Sequence, residues 1–276
     1  MVRFPALVVT LSLLASAAMA QTGPNSQTPA TTPVAKTSAG KPAKKPSPQA
    51  KAGASLAGPV ETGACQLGVV AGIDDKFAVQ KIGITVFGNE LAEAPVDWGY
   101  NDIVVERVRA NAPAATAVRR IAYPKGAFDR YYNPPESLFG NSRGDFVAIV
   151  QQIIGSAHCE RYIVITGFQG MSADSHQPIK GVGVVTQGGS TRIFANLMIQ
   201  IFDGKTLEMQ SQLSRLGSVL ANAFKSDDRK PVDAINAAEV PDSAEAAAHN
   251  AMLRDRTRAV LAAHLDRRLP VYLKPD

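Results

Sequence analysis

The sequence is poor in cysteine and histidine, and both shortages restrict its chemistry. Its two cysteines are Cys65 and Cys159, and neither follows the N-terminal leader as a lipid-anchored cysteine would. A zinc site needs several His or Cys ligands close together. The four histidines are scattered along the chain, at His158, His176, His249 and His264. We therefore expect no cofactor and no metal, with Asp174 and His176, which share a Gly/Ser-rich loop, as the one alternative metal site.

Three further absences exclude whole classes of protein. After residue 20 no apolar run reaches the ~18 residues that a membrane-spanning helix needs, so we expect no transmembrane anchor. No Gly-rich loop ends in Lys-Ser or Lys-Thr, as a phosphate-binding loop would. Residues 21–58 contain five lysines and no acidic residue, and subtracting these lysines and Arg3 from the formal charge of +5 leaves −1 for residues 59–276. A nucleic-acid-binding domain would carry excess positive charge, so we expect none.

The first 20 residues have the three parts of a secretory signal peptide. Arg3 provides a positive charge, an apolar run extends from Phe4 to about Leu14, and Ala18-Met19-Ala20 forms the small-x-small cleavage pattern. We expect cleavage after Ala20 and a periplasmic or secreted mature protein.

The composition then predicts three regions along the chain. After the signal peptide (1–20), residues 21–58 are rich in Pro, Ala and Lys and have too few large apolar residues to bury, which predicts a disordered linker. This linker is interpreted as a spacer, or as a tether drawn by its lysines to anionic envelope polymers. Residues 59–276 are predicted to form a single globular domain.

Hydrophobic periodicity predicts an α/β (α+β) fold with one mixed sheet. Strand–helix alternation is followed by β-hairpins at Gly188-Gly189 and Asp203-Gly204, the latter as a type I′ turn. The predicted strands are 67–73, 77–87, 118–123, 161–166, 182–187, 192–202 and 206–212. The predicted helices are 97–110, 145–154 and a short one at 214–224, with 225–240 as a loop. A long C-terminal helix is predicted to begin at Asp242, in a capping box with Glu245, and to stop at Pro270.

The two cysteines are predicted to form a disulfide. An exported protein folds in an oxidising compartment, where two cysteines usually pair. Cys65 opens the first predicted strand, and Cys159 comes just before the central strand at 161–166. If these strands are parallel neighbours, both cysteines lie at the same end of the sheet.

One motif raises the possibility of a serine hydrolase. Residues 140–144 read Gly-Asn-Ser-Arg-Gly and lead into a predicted helix, as a nucleophile elbow does, which makes Ser142 a candidate nucleophile. Asp174 and then His249 or His264 follow in the expected order. However, a Pro-rich loop precedes the motif where an elbow needs a strand, so a loop with a helix cap is the competing interpretation. The acidic pairs Asp74-Asp75 and Asp227-Asp228 are interpreted as turn residues, and His264 as a hydrogen-bonded core residue.

Large polar aromatic residues are the candidate binding residues. They lie in or beside predicted loops and are Trp98, Tyr100, Tyr131 and Tyr132. Such side chains can anchor a protein or a saccharide, or they can cover the edge of a core, and both interpretations stay open.

Residues from about Phe77 to Leu213 carry an architectural resemblance. Two helix–strand alternations lead to a hairpin with the turn sequence Asp203-Gly204-Lys205, and a long helix closes the chain. This order resembles the α/β domains of bacterial envelope proteins, such as the amino-terminal domain of the Tol-Pal system's propeller protein and the curli-secretion lipoproteins. This chain differs from the curli family in lacking a lipidation cysteine. The exported domain as a whole resembles proteobacterial periplasmic proteins, and that resemblance implies no function.

These observations lead to two functional hypotheses. The first is a non-enzymatic envelope protein that binds another protein or a cell-wall component. The second is a periplasmic hydrolase, with Ser142 as nucleophile or with a site in the loops that carry Asp97, Tyr131, Asp174 and His176.

Overall fold

The computed structural model describes residues 56–83, 86–134, 142–171, 178–210 and 233–274. The predicted signal peptide and nearly all of the predicted linker therefore lie outside the described residues. Leu56–Ala57, inside the predicted linker, form strand β1 and pair antiparallel with Tyr123–Pro124, strand β6. The folded part thus begins before residue 59, where the composition had placed its start.

The structure confirms an α/β fold with a long C-terminal helix. The strands that follow β1 are β2 (Leu67–Gly72), β3 (Lys76–Ile82), β4 (Glu90–Pro95), β5 (Val118–Arg120), β6, β7 (Arg161–Gly167), β8 (Gln169–Met171), β9 (Pro178–Lys180), β10 (Val182–Gln187), β11 (Ser190–Ala195), β12 (Leu197–Asp203) and β13 (Asp233–Ile235). The helices are α1 (Tyr100–Asn111), α2 (Asp129–Tyr132), α3 (Ser142–Ile154), α4 (Ala244–Ala248) and α5 (Ala251–Leu273). Short 3-10 turns occupy Val86–Gly88 and Ala237–Glu239.

The strands form two main sheets where the sequence had predicted one. A four-stranded sheet has the order β12-β7-β2-β5, and a five-stranded sheet has the order β13-β11-β10-β3-β4. In the first sheet β5, β2 and β7 are parallel and β12 is antiparallel. Strands β8 and β9 form a separate pair.

Helices cover both faces of the four-stranded sheet. Alternate residues of β2 face opposite ways, so that Leu67, Val69 and Ala71 share a core with α1 and α5, whereas Val70 packs in a second core with α3. Gly68 and Gly72 of β2 lie on the α3 face, where the lack of a side chain leaves room for large aromatic rings. A Cβ on Gly68 would meet the ring of Tyr162, and one on Gly72 would meet that of Phe128.

Several helix boundaries differ from the predicted ones. Helix α1 begins after Gly99, which has φ 65° and no side-chain cap, so Asp97 does not cap it. Helix α3 begins three residues before the predicted Asp145. The capping box predicted for Asp242 and Glu245 is wrong, since Ser243 caps α4 by accepting a hydrogen bond from the Ala246 N–H.

The C-terminal helix is divided and extends further than expected. Asn250 caps α5 separately by accepting from the Leu253 N–H at 3.1 Å. Pro270 lies inside α5, which continues to Leu273. A proline near a helix end removes one hydrogen bond without preventing the last turn, because its fixed φ suits a helix.

The two predicted hairpins have different outcomes. Gly188 and Gly189 both have positive φ, as the β10–β11 turn requires. The Asp203-Gly204 turn is not type I′, because the left-handed residue is Leu207, with φ 56°. Instead, the Asp203 carboxylate accepts from the N–H groups of Lys205 and Thr206, both at 2.8 Å. The strand predicted at 206–212 is reduced in the described part to a bridge between Phe202 and Met209.

Other differences concern short elements. Asp233–Ile235 is a strand within the region predicted as a loop, and the predicted strand 77–87 ends at Ile82. The helix predicted at 214–224 lies outside the described residues.

Candidate functional site

Three neighbouring chain segments bend where the two main sheets meet. Phe168 separates β7 from β8, Gly181 separates β9 from β10, and Asn196 separates β11 from β12. Their main chains form a closed ring of hydrogen bonds. Phe168 N–H donates to Asn196 O at 2.9 Å, Gly181 N–H to Phe168 O at 3.1 Å, and Asn196 N–H to Gly181 O at 2.8 Å. We call these three residues the strand junction.

The strand junction keeps this position through two local features. Gly181 has φ 69°, a left-handed conformation that a residue with a Cβ rarely adopts. The Asn196 side chain donates from Nδ2 to Ile179 O at 2.9 Å, which ties β9 to the bend between β11 and β12. Each strand therefore changes sheet without leaving the junction's main-chain groups unpaired.

A cleft of about 260 Å³ opens beside the junction, at the carboxyl ends of β2 and β7. Mixed α/β sheets commonly bind ligands at this edge, because loops of different strands diverge there. The cleft is lined by residues that follow β2, by residues of β3 and β4, by the α2 region and by the junction. They are Ile73, Asp74, Lys76, Ala78, Glu93, Tyr131, Tyr132, Pro134, Gly167, Phe168, Gln169, Lys180, Gly181 and Val182.

Two of the predicted binding residues, Tyr131 and Tyr132, lie in the wall of this cleft. The Tyr132 hydroxyl donates to Gly72 O at the end of β2 and accepts from the Gly167 N–H at the end of β7, at 2.8 Å. The Tyr131 hydroxyl donates to Gly167 O at 3.2 Å. Burial raises the pKa of Tyr132 well above its usual value, and that of Tyr131 also rises. Both rings are therefore fixed, with neutral hydroxyls already engaged by main chain.

The charged residues of the cleft form two pairs of opposite sign. The Lys76 ammonium lies 3.1 Å from the Asp74 carboxylate, and that of Lys180 lies 3.4 Å from that of Glu93. The hydrogen bond that the Lys76 ammonium donates to the Asp74 carboxylate raises the pKa of Lys76 and keeps it cationic. A polar ligand at the mouth therefore meets both signs of charge at fixed positions.

Phe168 is the main exposed apolar contact of the cleft. Its side chain is 46% exposed, although the flanking residues of β7 are buried. Its main chain is held by the strand junction, so the exposed ring projects from a rigid support. An exposed aromatic ring beside paired charges is suited to holding a ligand with an apolar part and polar groups.

The other two predicted binding residues, Trp98 and Tyr100, lie in the hydrophobic core. The Trp98 ring packs on that of Phe77, with centroids 4.7 Å apart, and its Nε1 donates to Ala248 O at 3.2 Å. Tyr100 is 0% exposed, and burial raises its pKa. Because Tyr100 is buried, its ring has no surface that a partner could contact. The contacts of Trp98 are those of a side chain that covers the edge of the core.

The predicted disulfide is confirmed. Cys65 and Cys159 are bonded, with their Cα atoms 4.7 Å apart. As expected, they precede the parallel neighbours β2 and β7 at the same end of the sheet. This end is opposite to the cleft, so the covalent bond and the tyrosine hydroxyls hold the two strands at opposite ends.

The residues proposed for a hydrolase are not brought together in the described part of the chain. Ser142 begins α3, which packs on the opposite face of the four-stranded sheet from α5, the helix that carries His264. His249 and Asp97 line a second cavity, of about 290 Å³, whereas Tyr131 lines the cleft. Asp174 and His176 lie outside the described residues, as do Asp227 and Asp228.

His264 lies on α5 and is partly buried. Its Nε2 is 3.3 Å from Nη1 of Arg268. Burial and the charges of Arg268 and Arg267 lower the pKa of His264 to about 4.

The described residues show neither a metal-binding cluster nor a membrane-spanning helix. They contain no group of three His, Cys, Asp or Glu side chains arranged to hold a metal ion. Within the same ranges, no helix has both the length and the apolar character to cross a membrane.

The sequence did not predict Glu93, Phe168 or Lys180 as site residues. Glu93 lies in β4, Lys180 lies in β9 and Phe168 lies in the bend between β7 and β8. Hydrophobic periodicity predicted none of these three features. The only local signal was the spacing of Gly167, Gly170 and Gly181 around Phe168 and Lys180.

Comparison of the chain with models of protein families, with curated proteins and with solved structures finds no match. The architectural resemblance to envelope α/β domains therefore stays a prediction.

Proposed function

We propose that this protein is exported to the cell envelope and acts there as a non-enzymatic binding or assembly protein that contacts its partner through the cleft. The observation that carries the proposal is the aromatic wall of the cleft: the Tyr131 and Tyr132 hydroxyls bond to strand ends, and the main chain of Phe168 is held in the strand junction. Such preorganisation reduces the entropy lost when a ligand binds.

The polar groups of the cleft support binding over catalysis. Its two lysines are paired with carboxylates, and its two tyrosine hydroxyls are bonded to strand ends. A general base or a nucleophile needs a group free to exchange a proton with the substrate. The envelope location is supported by the leader sequence together with the Cys65–Cys159 disulfide, since disulfides persist in oxidising compartments.

Site-specific photo-crosslinking in growing cells tests this function. We would replace Phe168 with the photoreactive residue p-benzoylphenylalanine in the full-length chain and identify adducts by mass spectrometry. The control position is Val60, which is apolar and 65% exposed but lies outside the cleft. We expect one discrete envelope protein or cell-wall fragment attached at position 168 and absent at position 60.

Two outcomes would contradict the proposal. Adducts of the same composition at both positions would show that contact at the cleft is not selective. Turnover of a cell-wall fragment that is lost in a Lys180→Ala variant would make the cleft catalytic.

A further inference from the structure

We propose that the cleft binds an uncharged, N-acetylated saccharide, with one sugar ring lying against Phe168. This inference rests on the proposed binding function and specifies its ligand as a carbohydrate. Four features of the cleft carry it, namely the balance of charge, the apolar floor, the exposed aromatic ring and the closed main chain of the strand junction.

The ionisable groups that line the cleft cancel in charge. Lys76 and Lys180 are cations, and Asp74 and Glu93 are anions. Their side chains are 25–37% exposed, so a ligand can reach all four. Two charges of each sign give no net field that attracts an ion. A hydroxyl group both donates and accepts, so it can bond to a carboxylate or an ammonium and leave the ion pairs intact. The charge balance therefore favours a neutral ligand rich in hydroxyl or amide groups.

Strand register arranges these charges around one small side chain. Lys76 and Ala78 face the same side of the five-stranded sheet, because residues two apart in a strand share a face. Glu93 is the partner of Ala78 in the β3–β4 pair, so it lies on that side too. Lys180 joins this group from β9 through its ion pair with Glu93. The methyl group of Ala78 thus leaves space between charged side chains.

The floor of the cleft is apolar. Its least exposed lining side chains are Ala78 and Val182, each 2% exposed, and Ile73, which is 4% exposed. An acetamido group carries a methyl for such a floor, and its amide donates and accepts hydrogen bonds beside it. This combination favours an N-acetylated sugar over one that carries hydroxyl groups alone.

Phe168 offers an exposed face to a sugar ring. Its ring is 46% exposed, and polar side chains lie beside it. Gln169, the next residue, is exposed and lies directly opposite Lys180 in the β8–β9 pair, so its amide and the Lys180 ammonium are on the same side of that pair. A sugar ring has C–H groups on its faces and hydroxyl groups at its rim. It can therefore pack on the aromatic ring while its rim bonds to the neighbouring polar groups.

Size and main-chain bonding argue against a protein segment as the occupant. Pockets for drug-sized ligands measure roughly 300–1,000 Å³, and this cleft of about 260 Å³ is smaller, which suits one substituted sugar ring. An extended peptide binds mainly by pairing with an open strand edge. At the junction, the N–H groups of Phe168, Gly181 and Asn196 already donate to one another's carbonyls. This side of the cleft therefore offers no open edge to a peptide.

NMR titration of the purified protein with two matched sugars tests the ligand class. The probe is N,N′-diacetylchitobiose, a neutral disaccharide. The control is chitobiose, which lacks the acetyl groups and carries protonated amines at about pH 6. We expect the probe to shift the signals of the Phe168 ring and the Gln169 side-chain amide, with an affinity about tenfold or more above that of the control.

Three variants assign the binding to the cleft and to its charge balance. Phe168→Ala should weaken binding of the probe about tenfold. Phe87→Ala is the matched control, since it removes a 97% exposed ring outside the cleft and should leave binding unchanged. Lys180→Gln leaves Glu93 without its cation and gives the cleft a net negative charge. The affinity of this variant for the cationic control sugar should rise about tenfold.

The outcomes separate this inference from the binding function on which it rests. Equal binding of the two sugars, or full binding of the probe by Phe168→Ala, would overturn the inference. Unchanged Phe168 and Gln169 signals with the probe would also reject a saccharide. In that case a discrete protein adduct from photo-crosslinking at position 168 would leave the binding function standing, with a protein as partner. Absence of any selective adduct would reject both proposals.

Discussion

Tyrosine hydroxyls connect the carboxyl ends of the central strands at the level of single residues. The Tyr123 hydroxyl donates to Ala71 O, and Tyr132 bridges Gly72 O and the Gly167 N–H. A sheet edge that forms a cleft leaves main-chain groups which water or a side chain must satisfy. Because tyrosines satisfy them here, the same rings that close the strand ends also line the proposed binding surface.

Tyr132→Phe should lower the free energy of unfolding by about 1–3 kcal/mol, because it leaves a partly buried main-chain donor and acceptor without their shared partner. Tyr131→Phe is the matched control, since it removes one longer bond to Gly167 O. Urea unfolding at neutral pH measures both. An equal loss of unfolding free energy in the two variants would show that bridging β2 and β7 adds no stability beyond that of a single hydrogen bond.

His264 should make the stability of the protein depend on pH. Its pKa is lowered to about 4 in the folded state, against about 6.5 when unfolded. Between these values the unfolded chain binds more protons, so the contribution of His264 to stability is fully present above about pH 6.5 and is lost as the pH falls toward 4. His264→Gln should reduce this fall. Urea midpoints at several pH values measure it, and an unchanged pH dependence in the variant would contradict the prediction.

The strand junction is the main feature at the level of secondary-structure elements. Three bent segments pass from one sheet to another at Phe168, Gly181 and Asn196, and their mutual hydrogen bonds replace the interrupted ladders. The junction also forms one side of the cleft. Packing of the two sheets and presentation of Phe168 therefore depend on the same few main-chain bonds.

Gly181→Ala should destabilise the fold by about 1–2 kcal/mol, the cost of a left-handed conformation for a residue with a Cβ. There is open space around this position, so backbone strain is the expected cause. Gly170→Ala is the control, because Gly170 lies nearby without positive φ and its Cβ would make ordinary contacts. Denaturant unfolding compares them, and equal costs would count against strain at Gly181.

The elements predicted from the sequence are those with strong local patterns. β2, β7, β10, α1 and α3 were expected from their apolar runs or helical spacing. β4 was missed because Glu-Leu-Ala-Glu-Ala-Pro has no β-branched or aromatic residue, and its pairing with β3 determines its conformation. The strand predicted at 192–202 is divided at Asn196. This break was not predicted, because it depends on hydrogen bonds to Phe168 and Gly181, which are distant in sequence.

The candidate site was predictable from the sequence only in part. Tyr131 and Tyr132 stand out by residue type, and both line the cleft. Trp98 and Tyr100 are also large polar aromatic residues, but they are buried in the core. Their burial depends on how α1 packs on the sheet, which the local sequence does not show. The Glu93–Lys180 pair depends on two elements 87 positions apart in sequence, and no local pattern indicates it.

For the molecule as a whole, the four-stranded sheet is held at both ends. Cys65 and Cys159 join the starts of β2 and β7, and the tyrosine bridge joins their carboxyl ends. Replacing both cysteines with alanine should therefore lower stability without rearranging the sheet. In the chain-entropy account, closing a loop across 94 residues contributes on the order of 4–5 kcal/mol as an upper value.

Guanidinium unfolding of this double variant and of the wild-type protein, both without reductant, measures the loss, and thiol titration of the unfolded wild-type protein should find no reactive thiol. Reduced wild-type protein is the control, because it loses the covalent bond and keeps both side chains. We expect it to unfold close to the double variant, since the constraint on the unfolded chain is the common difference. A cost below about 1 kcal/mol would mean that strain in the folded state offsets the entropy gained by closing the loop.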